Sequence, residues 1–333
     1  MRGVTQLANP NVTVIIPVFN SEKYISRCLD SLLSQTYHNF RVICVDDCSK
    51  DKSLDIIYSY IDKFDGRLSV MVNEQNIGGG ASRMRAVSEV CSGYVMFLDS
   101  DDFLKSDYID AYLRAAKSSG YPDIVVGGYV KDYGNRQKAY AASSFPWCLT
   151  TYSISCAKMY KTSFLHESGV EFSDIRCGED ILFGLLLYVA KPRCVVMDYC
   201  GYCYYFNPGS TTNSMRSEDA MEHNVAQIFD QFNKLHGVPL NDNERYVVEY
   251  AYVANMLNSL IVYSRGCGPN SMVSKVRYIE KDRKRRFPNL SNNPLLSFRG
   301  AKGQSFKIRS AVSLFRLAYR LGVSAFFCRL LSR

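Results

Sequence analysis

Asp99-Ser100-Asp101-Asp102, set directly after the apolar run Tyr94-Val95-Met96-Phe97-Leu98, is the stretch of this chain with the most chemistry in it. A buried strand that ends in three carboxyl groups crowds negative charge, and such crowding is ordinarily offset by a divalent cation. The oxygens are hard ligands with no His or Cys at ligand spacing beside them, which favours magnesium or manganese over zinc and leaves positions open for phosphate oxygens. The turn therefore reads as a metal-diphosphate site; the alternative is an acidic N-cap, Asp101 or Asp102, for a helix over 106–117.

A second apolar strand, 41–45, ends in Asp46-Asp47-Cys48-Ser49-Lys50-Asp51, and a first, 12–16, ends in Pro17-Val18-Phe19-Asn20. Ligands of open α/β sheets bind outside the carboxyl ends of the strands, so three such loops predict a nucleotide-sized pocket at one sheet edge.

The elements that must position these loops alternate between strand and helix, which predicts an α/β domain with a mostly parallel sheet flanked by helices. Tyr24, Ile25, Cys28, Leu29, Leu32 and Leu33 recur at helical spacing after Ser21, and Leu54, Ile57, Tyr58 and Ile61 do so over 52–64. A short strand covers 68–73. Asn76-Ile77-Gly78-Gly79-Gly80 reads as a flexible loop feeding a helix over 81–91. A strand follows over 123–130, then a segment without clear period, 131–151, which is either an acceptor-facing loop or a plain surface excursion. Cys177-Gly178-Glu179-Asp180 opens an apolar helix over 181–190, strands cover 193–198 and 202–206, and helices cover 217–235 and 243–264. The boundary falls near residue 215, giving a catalytic domain over 1–215 and a helical C-terminal region over 216–333.

A chain of 333 residues that is 47% hydrophobic can bury a real core. Residues 1–11 do not resemble a signal peptide and no charge-free run approaches the ~20 residues a spanning helix needs, so a cytoplasmic location is expected. The 12 cysteines read as reduced thiols, and Cys200-Gly201-Tyr202-Cys203 lacks the second pair a zinc site needs. The net charge of +8 is concentrated at the end: from residue 275 onward 15 Lys and Arg face two acids, Glu280 and Asp282. Such a tail suggests an anionic partner, nucleic acid or the inner leaflet of a membrane. Over 306–333, Arg309, Ser313, Arg316, Arg320 and Ser324 share one side of a helical wheel and apolar residues fill the rest, an interfacial pattern. Peripheral contact with an anionic membrane through 302–333 is thus expected, and nucleic acid is not.

Val14-Ile15-Ile16-Pro17-Val18-Phe19-Asn20 with Tyr24, Leu32-Leu33-Ser34-Gln35-Thr36-Tyr37, Val45-Asp46-Asp47-Cys48-Ser49-Lys50-Asp51, Asn76-Ile77-Gly78 and Phe97-Leu98-Asp99-Ser100-Asp101-Asp102 resemble, in order and spacing, the family 2 glycosyltransferases with the GT-A fold. The resemblance covers roughly residues 10–215. Glu179-Asp180 and the stretch Tyr204-Tyr205-Phe206-Asn207-Pro208-Gly209-Ser210-Thr211 resemble later landmarks of bacterial members that build surface polysaccharides. The chain has Cys48 where members commonly have glycine, and Ser82-Arg83-Met84 where Ala-Arg-Asn is usual.

The resemblance implies an inverting transfer of a hexose from a UDP-sugar to a saccharide or lipid-linked oligosaccharide, as in capsule, exopolysaccharide or lipopolysaccharide synthesis. Asp99 and Asp101 would hold manganese or magnesium on the departing diphosphate, with Ser100 in the same turn at the ribose. Asp46 or Asp47 would accept the uracil imide hydrogen, Pro17, Phe19 and Asn20 would line base and ribose, and Gly78 and Arg83 would approach the phosphates. Asp180 is the candidate base for the acceptor hydroxyl, with Glu179 as the alternative. A binding protein that keeps the fold without catalysis is the competing function. A dinucleotide-dependent oxidoreductase is disfavoured, because Gly78-Gly79-Gly80 is not a Gly-x-Gly-x-x-Gly fingerprint.

Overall fold

Strand β1 (Val12–Val18) is buried along nearly its whole length. A continuous apolar run of this kind belongs to a parallel strand covered on both faces. The computed structural model describes residues 12–173, 175, 177–207, 221–264 and 266–323, and the elements below are those of the described residues. After β1 come α1 (Ile25–Leu33), β2 (Phe40–Asp46), α2 (Ser53–Tyr60), β3 (Leu68–Val72), α3 (Gly79–Val87), β4 (Tyr94–Phe97), β5 (Phe103–Leu104) and α4 (Tyr108–Ser118). The chain continues through β6 (Ile124–Asp132), β7 (Gln137–Tyr140), α5 (Trp147–Thr150), β8 (Lys158–Lys161), α6 (Thr162–Ser168), α7 (Glu179–Val189) and β9 (Cys194–Tyr205). Helices α8 (Met221–Leu235), α9 (Asp242–Asn258), α10 (Pro269–Arg286) and α11 (Phe306–Arg320) complete it.

The strands form one sheet in the order β3-β2-β1-β4-β8-β6-β9-β5, with β7 paired to β6. The pairs β1–β2, β2–β3 and β1–β4 are parallel; β4–β8, β6–β8, β6–β7 and β5–β9 are antiparallel, and β6–β9 is parallel. The sheet is therefore parallel in its N-terminal part and mixed beyond it. The chain winds outward from β1 through β2 to β3 and then returns to the other side of β1 with β4. Such a reversal of strand order opens a crevice at the carboxyl ends of the strands.

Three local expectations change. Gly79 and Gly80 form the first turn of α3 instead of a loose loop; of the three glycines only Gly78, at φ +89°, needs the left-handed region. Gly80 is helical but must lack a side chain, because a Cβ there would lie 2.6 Å from the Phe172 Cβ. The two strands expected over 193–206 are one, β9, whose pairing with β6 slips around Gly128. The segment 131–151 is not irregular throughout, since β7 folds back on β6 and pairs Gln137 with Asp132 and Tyr140 with Tyr129.

The chain divides into two compact units. The first, residues 1–142, 154–174 and 190–207, holds the whole sheet with α1 to α4 and α6. The second, residues 143–153, 175–189 and 208–333, is helical. Within it α7 lies tight on α5, since a Cβ at Gly184 would collide with the Leu149 carbonyl oxygen. No helix among the described residues is long and apolar enough to cross a membrane.

Several basic residues of the second unit are held internally. Lys275 pairs with Glu222 at 3.1 Å with both side chains buried. The Arg286 side chain is 3% exposed and bonds Asp230 at 2.8 Å and Asp282 at 3.2 Å, and Arg283 lies over the Tyr319 ring at 4.1 Å. The positive count of the tail therefore overstates the charge presented outward.

Candidate functional site

The loops after β1, β2 and β4 are stitched to one another by side-chain hydrogen bonds, all within the first unit. Asn20 stands at φ +49°; its amide N–H donates to Ser49 Oγ at 3.1 Å and its Oδ1 accepts from the Lys50 amide at 2.8 Å. Ser21 Oγ and Ser100 Oγ are 2.7 Å apart, which joins the first loop to the acidic turn. Pro17 packs near Gly79 and Arg83, as a Cβ added at Gly79 would lie 4.0 Å from the proline Cβ and 3.7 Å from the guanidinium. Phe19 is 48% exposed at this edge.

The two acids after β2 differ sharply in what they touch. Asp47 Oδ1 accepts from Asn73 Nδ2 at 2.7 Å and the Ile77 amide at 2.9 Å, and Oδ2 accepts from the Gly78 amide at 2.8 Å. Asp47 therefore anchors the glycine turn. Asp46 is equally buried; its Oδ2 accepts from the Ser49 amide at 3.1 Å, while its Oδ1 is buried without a partner. A buried carboxylate oxygen left in this state carries a desolvation cost that an incoming donor relieves.

Cys48, next to this pair, stands at φ +65°. An L-residue costs about 1–2 kcal/mol in the left-handed region and glycine does not, though glycine loses more freedom on folding. Cys48→Gly should therefore raise the urea midpoint, by the equivalent of about 0.5–1 kcal/mol. A lowered midpoint would contradict this reading of the turn.

Helix α3 bridges the two acidic turns: its N-terminal turn is held by Asp47, and Arg83 one turn along donates Nη2 to Asp99 Oδ1 at 2.5 Å. Arg83 is itself buried beside the Phe97 and Phe172 rings. Asp101 Oδ2 accepts from Asn207 Nδ2 at 3.1 Å, and Arg27 Nη2 donates to the Asp101 carbonyl at 2.7 Å. Burial and then the neighbouring Asp99 push the Asp101 carboxyl above the usual range. Asp102 is buried, accepts from Tyr202 Oη and from the Tyr205 amide at 2.7 Å, and thereby ties the turn to β9. Burial first, then Asp99 and Asp101, hold its carboxyl well above the ordinary value.

Beyond burial, the charge of Asp99 raises the Asp101 carboxyl, and Asp99 and Asp101 together raise that of Asp102, so the turn is short of positive charge. Asp99 and Asp101 suit a hard cation that completes its shell from phosphate oxygens and water. Among the described residues no three His, Cys, Asp or Glu side chains are grouped so as to hold a metal ion by themselves.

Glu179 and Asp180 belong to the helical unit, in the first turn of α7. Gly178, at φ +94°, precedes them, and a Cβ there would lie 2.6 Å from Ile228 Cδ1, so the turn admits only glycine without displacing that side chain. Both acids are close enough to Cys177 to help burial raise its thiol. Residues that sequence reasoning missed are Arg27, Asn73 and Tyr202, while Asn207 stood in a stretch singled out by the resemblance but was given no role at the acidic turn.

A sheet whose strand order reverses between β1 and β4, with acidic turns converging at that crevice, defines the GT-A fold of nucleotide-diphospho-sugar transferases. Residues 1–349 of Staphylococcus aureus TarS superimpose with a TM-score of 0.65 at 22% identity over 94% of this chain and 92% of that one. The same protein in complex with UDP-GlcNAc gives 0.64 at 24% identity over 97% and 90%. Residues 13–172 match the family described as glycosyl transferase family 2. The chain carries a family 2 glycosyltransferase domain. In sequence it is 31% identical over 201 residues to a poly(ribitol-phosphate) beta-glucosyltransferase of Bacillus spizizenii, covering 57% of this chain and 32% of the relative. It is 31% identical over 206 residues to the poly(ribitol-phosphate) beta-N-acetylglucosaminyltransferase TarS of Staphylococcus aureus, covering 58% and 35%. The matched part thus spans about a third of the length of these relatives.

Proposed function

We propose that this chain transfers a hexose from a UDP-sugar to a saccharide acceptor, lipid-linked or polymeric, with inversion at the anomeric carbon, in the synthesis of a bacterial surface polysaccharide. The observation that carries the reading is Asp46: a buried carboxylate with one oxygen unpartnered, at the sheet edge where the acids of the diphosphate site converge. That oxygen is suited to the imide N–H of uracil, with Phe19 and Pro17 against the base. Asp47 instead shapes the glycine turn through Ile77 and Gly78.

Asp99 and Asp101 would hold manganese or magnesium, with Ser100 at the ribose. The cation, when bound, stabilises the charge that develops on the departing diphosphate. Arg83 fixes the Asp99 carboxylate and adds a guanidinium at the phosphate end. Asp180, or failing it Glu179, removes the acceptor hydroxyl proton as that oxygen bonds the anomeric carbon and the bond to the diphosphate breaks. The electron pair leaves with UDP, and no covalent enzyme intermediate forms. The catalytic segment is residues 1–215.

Screening UDP- and GDP-sugars for manganese-dependent release of free nucleotide tests donor class and catalysis together. Release from a UDP-sugar and not from a GDP-sugar is expected, and Asp46→Asn should weaken UDP by about 10-fold, because the Ser49 amide holds the asparagine oxygen and leaves its NH2 facing the imide N–H. Equal UDP binding by Asp46→Asn would remove Asp46 from base recognition.

We also propose peripheral contact with an anionic membrane through residues 302–333, of which 324–333 lie outside the described residues. Leu314, Leu317 and Leu321 follow one another at helical spacing, each more than half exposed, with Phe306 and the exposed Lys302, Lys307 and Arg320 on the same segment. Leu314→Ser with Leu317→Ser should cut co-sedimentation with phosphatidylserine vesicles at least about 10-fold, given about 1.5–3 kcal/mol per buried leucine. Unchanged sedimentation would defeat the proposal.

A further inference from the structure

The hairpin of β6 and β7, with the end of β9, carries a surface that none of the roles above uses. Tyr129 and Tyr140 stack with centroids 5.0 Å apart at 11°. Tyr204 meets Tyr129 edge-on at 6.2 Å, and Phe206 lies 5.5 Å from Tyr133. Lys131 Nζ sits among three of these rings, 5.4 Å from Tyr133, 5.5 Å from Tyr204 and 5.1 Å from Phe206. Arg136 lies over Tyr133 at 4.8 Å and Lys138 over Tyr140 at 5.3 Å.

All five rings are only partly buried. Among the described residues no carboxylate pairs with Lys131, Arg136 or Lys138. The one acid on the hairpin, Asp132, is buried and its Oδ1 accepts from the Gly134 amide at 2.8 Å. Clustered, partly exposed apolar surface on a folded domain marks an interaction site, and here it carries three uncompensated cations. Ring faces suit the C–H faces of sugars and polyols; ammonium and guanidinium groups suit phosphate or carboxylate.

The chain connects this surface directly to the acidic turn. Tyr204 and Phe206 belong to the aromatic group, while the Tyr205 amide donates to Asp102 Oδ1 and Asn207 Nδ2 donates to Asp101 Oδ2. One residue of extended chain advances about 3.3–3.6 Å, so the aromatic group begins within about one sugar length of the proposed diphosphate site.

We infer that the β6–β7 hairpin with Tyr204 and Phe206 is the track for the acceptor chain, an anionic polymer of sugar or polyol units joined by phosphodiesters. The inference rests on the transfer reading above. Single-stranded nucleic acid shares the charge and the stacking faces; continuity with the sugar-transfer turn favours the saccharide.

The probes are poly(ribitol phosphate), uncharged dextran and an oligo(dT), titrated into the full chain and into Arg136→Gln/Lys138→Gln and Tyr140→Ala, with UDP and manganese as a separate titration. Wild type should bind poly(ribitol phosphate) more tightly than either other polymer. The charge variant should lose at least fivefold in affinity and show a shallower salt dependence, since phosphate contacts release counterions. Tyr140→Ala should lose a similar factor at any salt, and both variants should bind UDP within twofold of wild type. Polymer binding unchanged in both variants, or oligo(dT) bound as tightly as poly(ribitol phosphate), overturns the track while leaving the donor site standing. Absence of UDP binding in wild type overturns the transfer reading itself.

Discussion

Asp101→Asn is expected to lower manganese-dependent release of UDP from a UDP-sugar by about 10²–10³-fold, the loss seen when one preorganised stabiliser of transition-state charge is removed. The fold should survive and become more stable. Burial and Asp99 raise the Asp101 carboxyl above its unfolded value. A carboxyl with a raised folded pKa holds its proton more tightly in the native chain, so folding gains below that pKa and loses as pH rises through it. Asparagine keeps an oxygen for Asn207 and cannot ionise, so the variant is spared the loss of stability that wild type undergoes as pH rises through the raised pKa. Initial rates with a thermal melt at pH 7 check both halves. A rate within tenfold of wild type, or a melting temperature that falls with activity, would show that Asp101 serves the fold and not the diphosphate.

The second large effect concerns the acceptor. Asp180→Asn should reduce transfer by about 10²–10⁴-fold, the range for a general base, with UDP affinity within twofold of wild type. The turn at Gly178 fixes the start of α7 whether or not the next residues are charged, so the substitution leaves the local backbone in place. Glu179→Gln, one position earlier in the same turn, should keep most of the transfer rate. Single-turnover transfer alongside UDP calorimetry separates the two acids. Near-normal turnover in Asp180→Asn together with loss in Glu179→Gln would hand the role to Glu179.

The central strands were legible because parallel strands in a covered sheet are apolar throughout and stop abruptly: β1, β2 and β4 each run from a buried stretch into a polar or acidic turn. The same abruptness made the acids after β2 and β4 visible. What separates Asp46 from Asp47 was not legible, because the two are chemically identical and the deciding partners, Asn73, Ile77 and Gly78, lie 26 to 31 residues along the chain. Local composition also misread the glycine run, since Gly79 and Gly80 enter a helix once Asp47 holds the turn before them and Phe172 covers Gly80. Strand β9 looked like two strands because Asp198 to Gly201 breaks the apolar pattern, yet β6 pairs on both sides of that break. Charge counting treated the tail as uniformly basic, whereas Lys275, Arg283 and Arg286 are buried against Glu222, Tyr319 and the pair Asp230 and Asp282. In each case the missing information is a contact between residues distant in sequence.

One titration bears most directly on the claim that the acids after β2 and β4 serve a single nucleotide diphosphate: UDP into the full chain by calorimetry, with and without manganese, repeated with Asp46→Asn. Saturable heat that strengthens with manganese and weakens about 10-fold in the variant is the predicted result. No heat with UDP and manganese would contradict it.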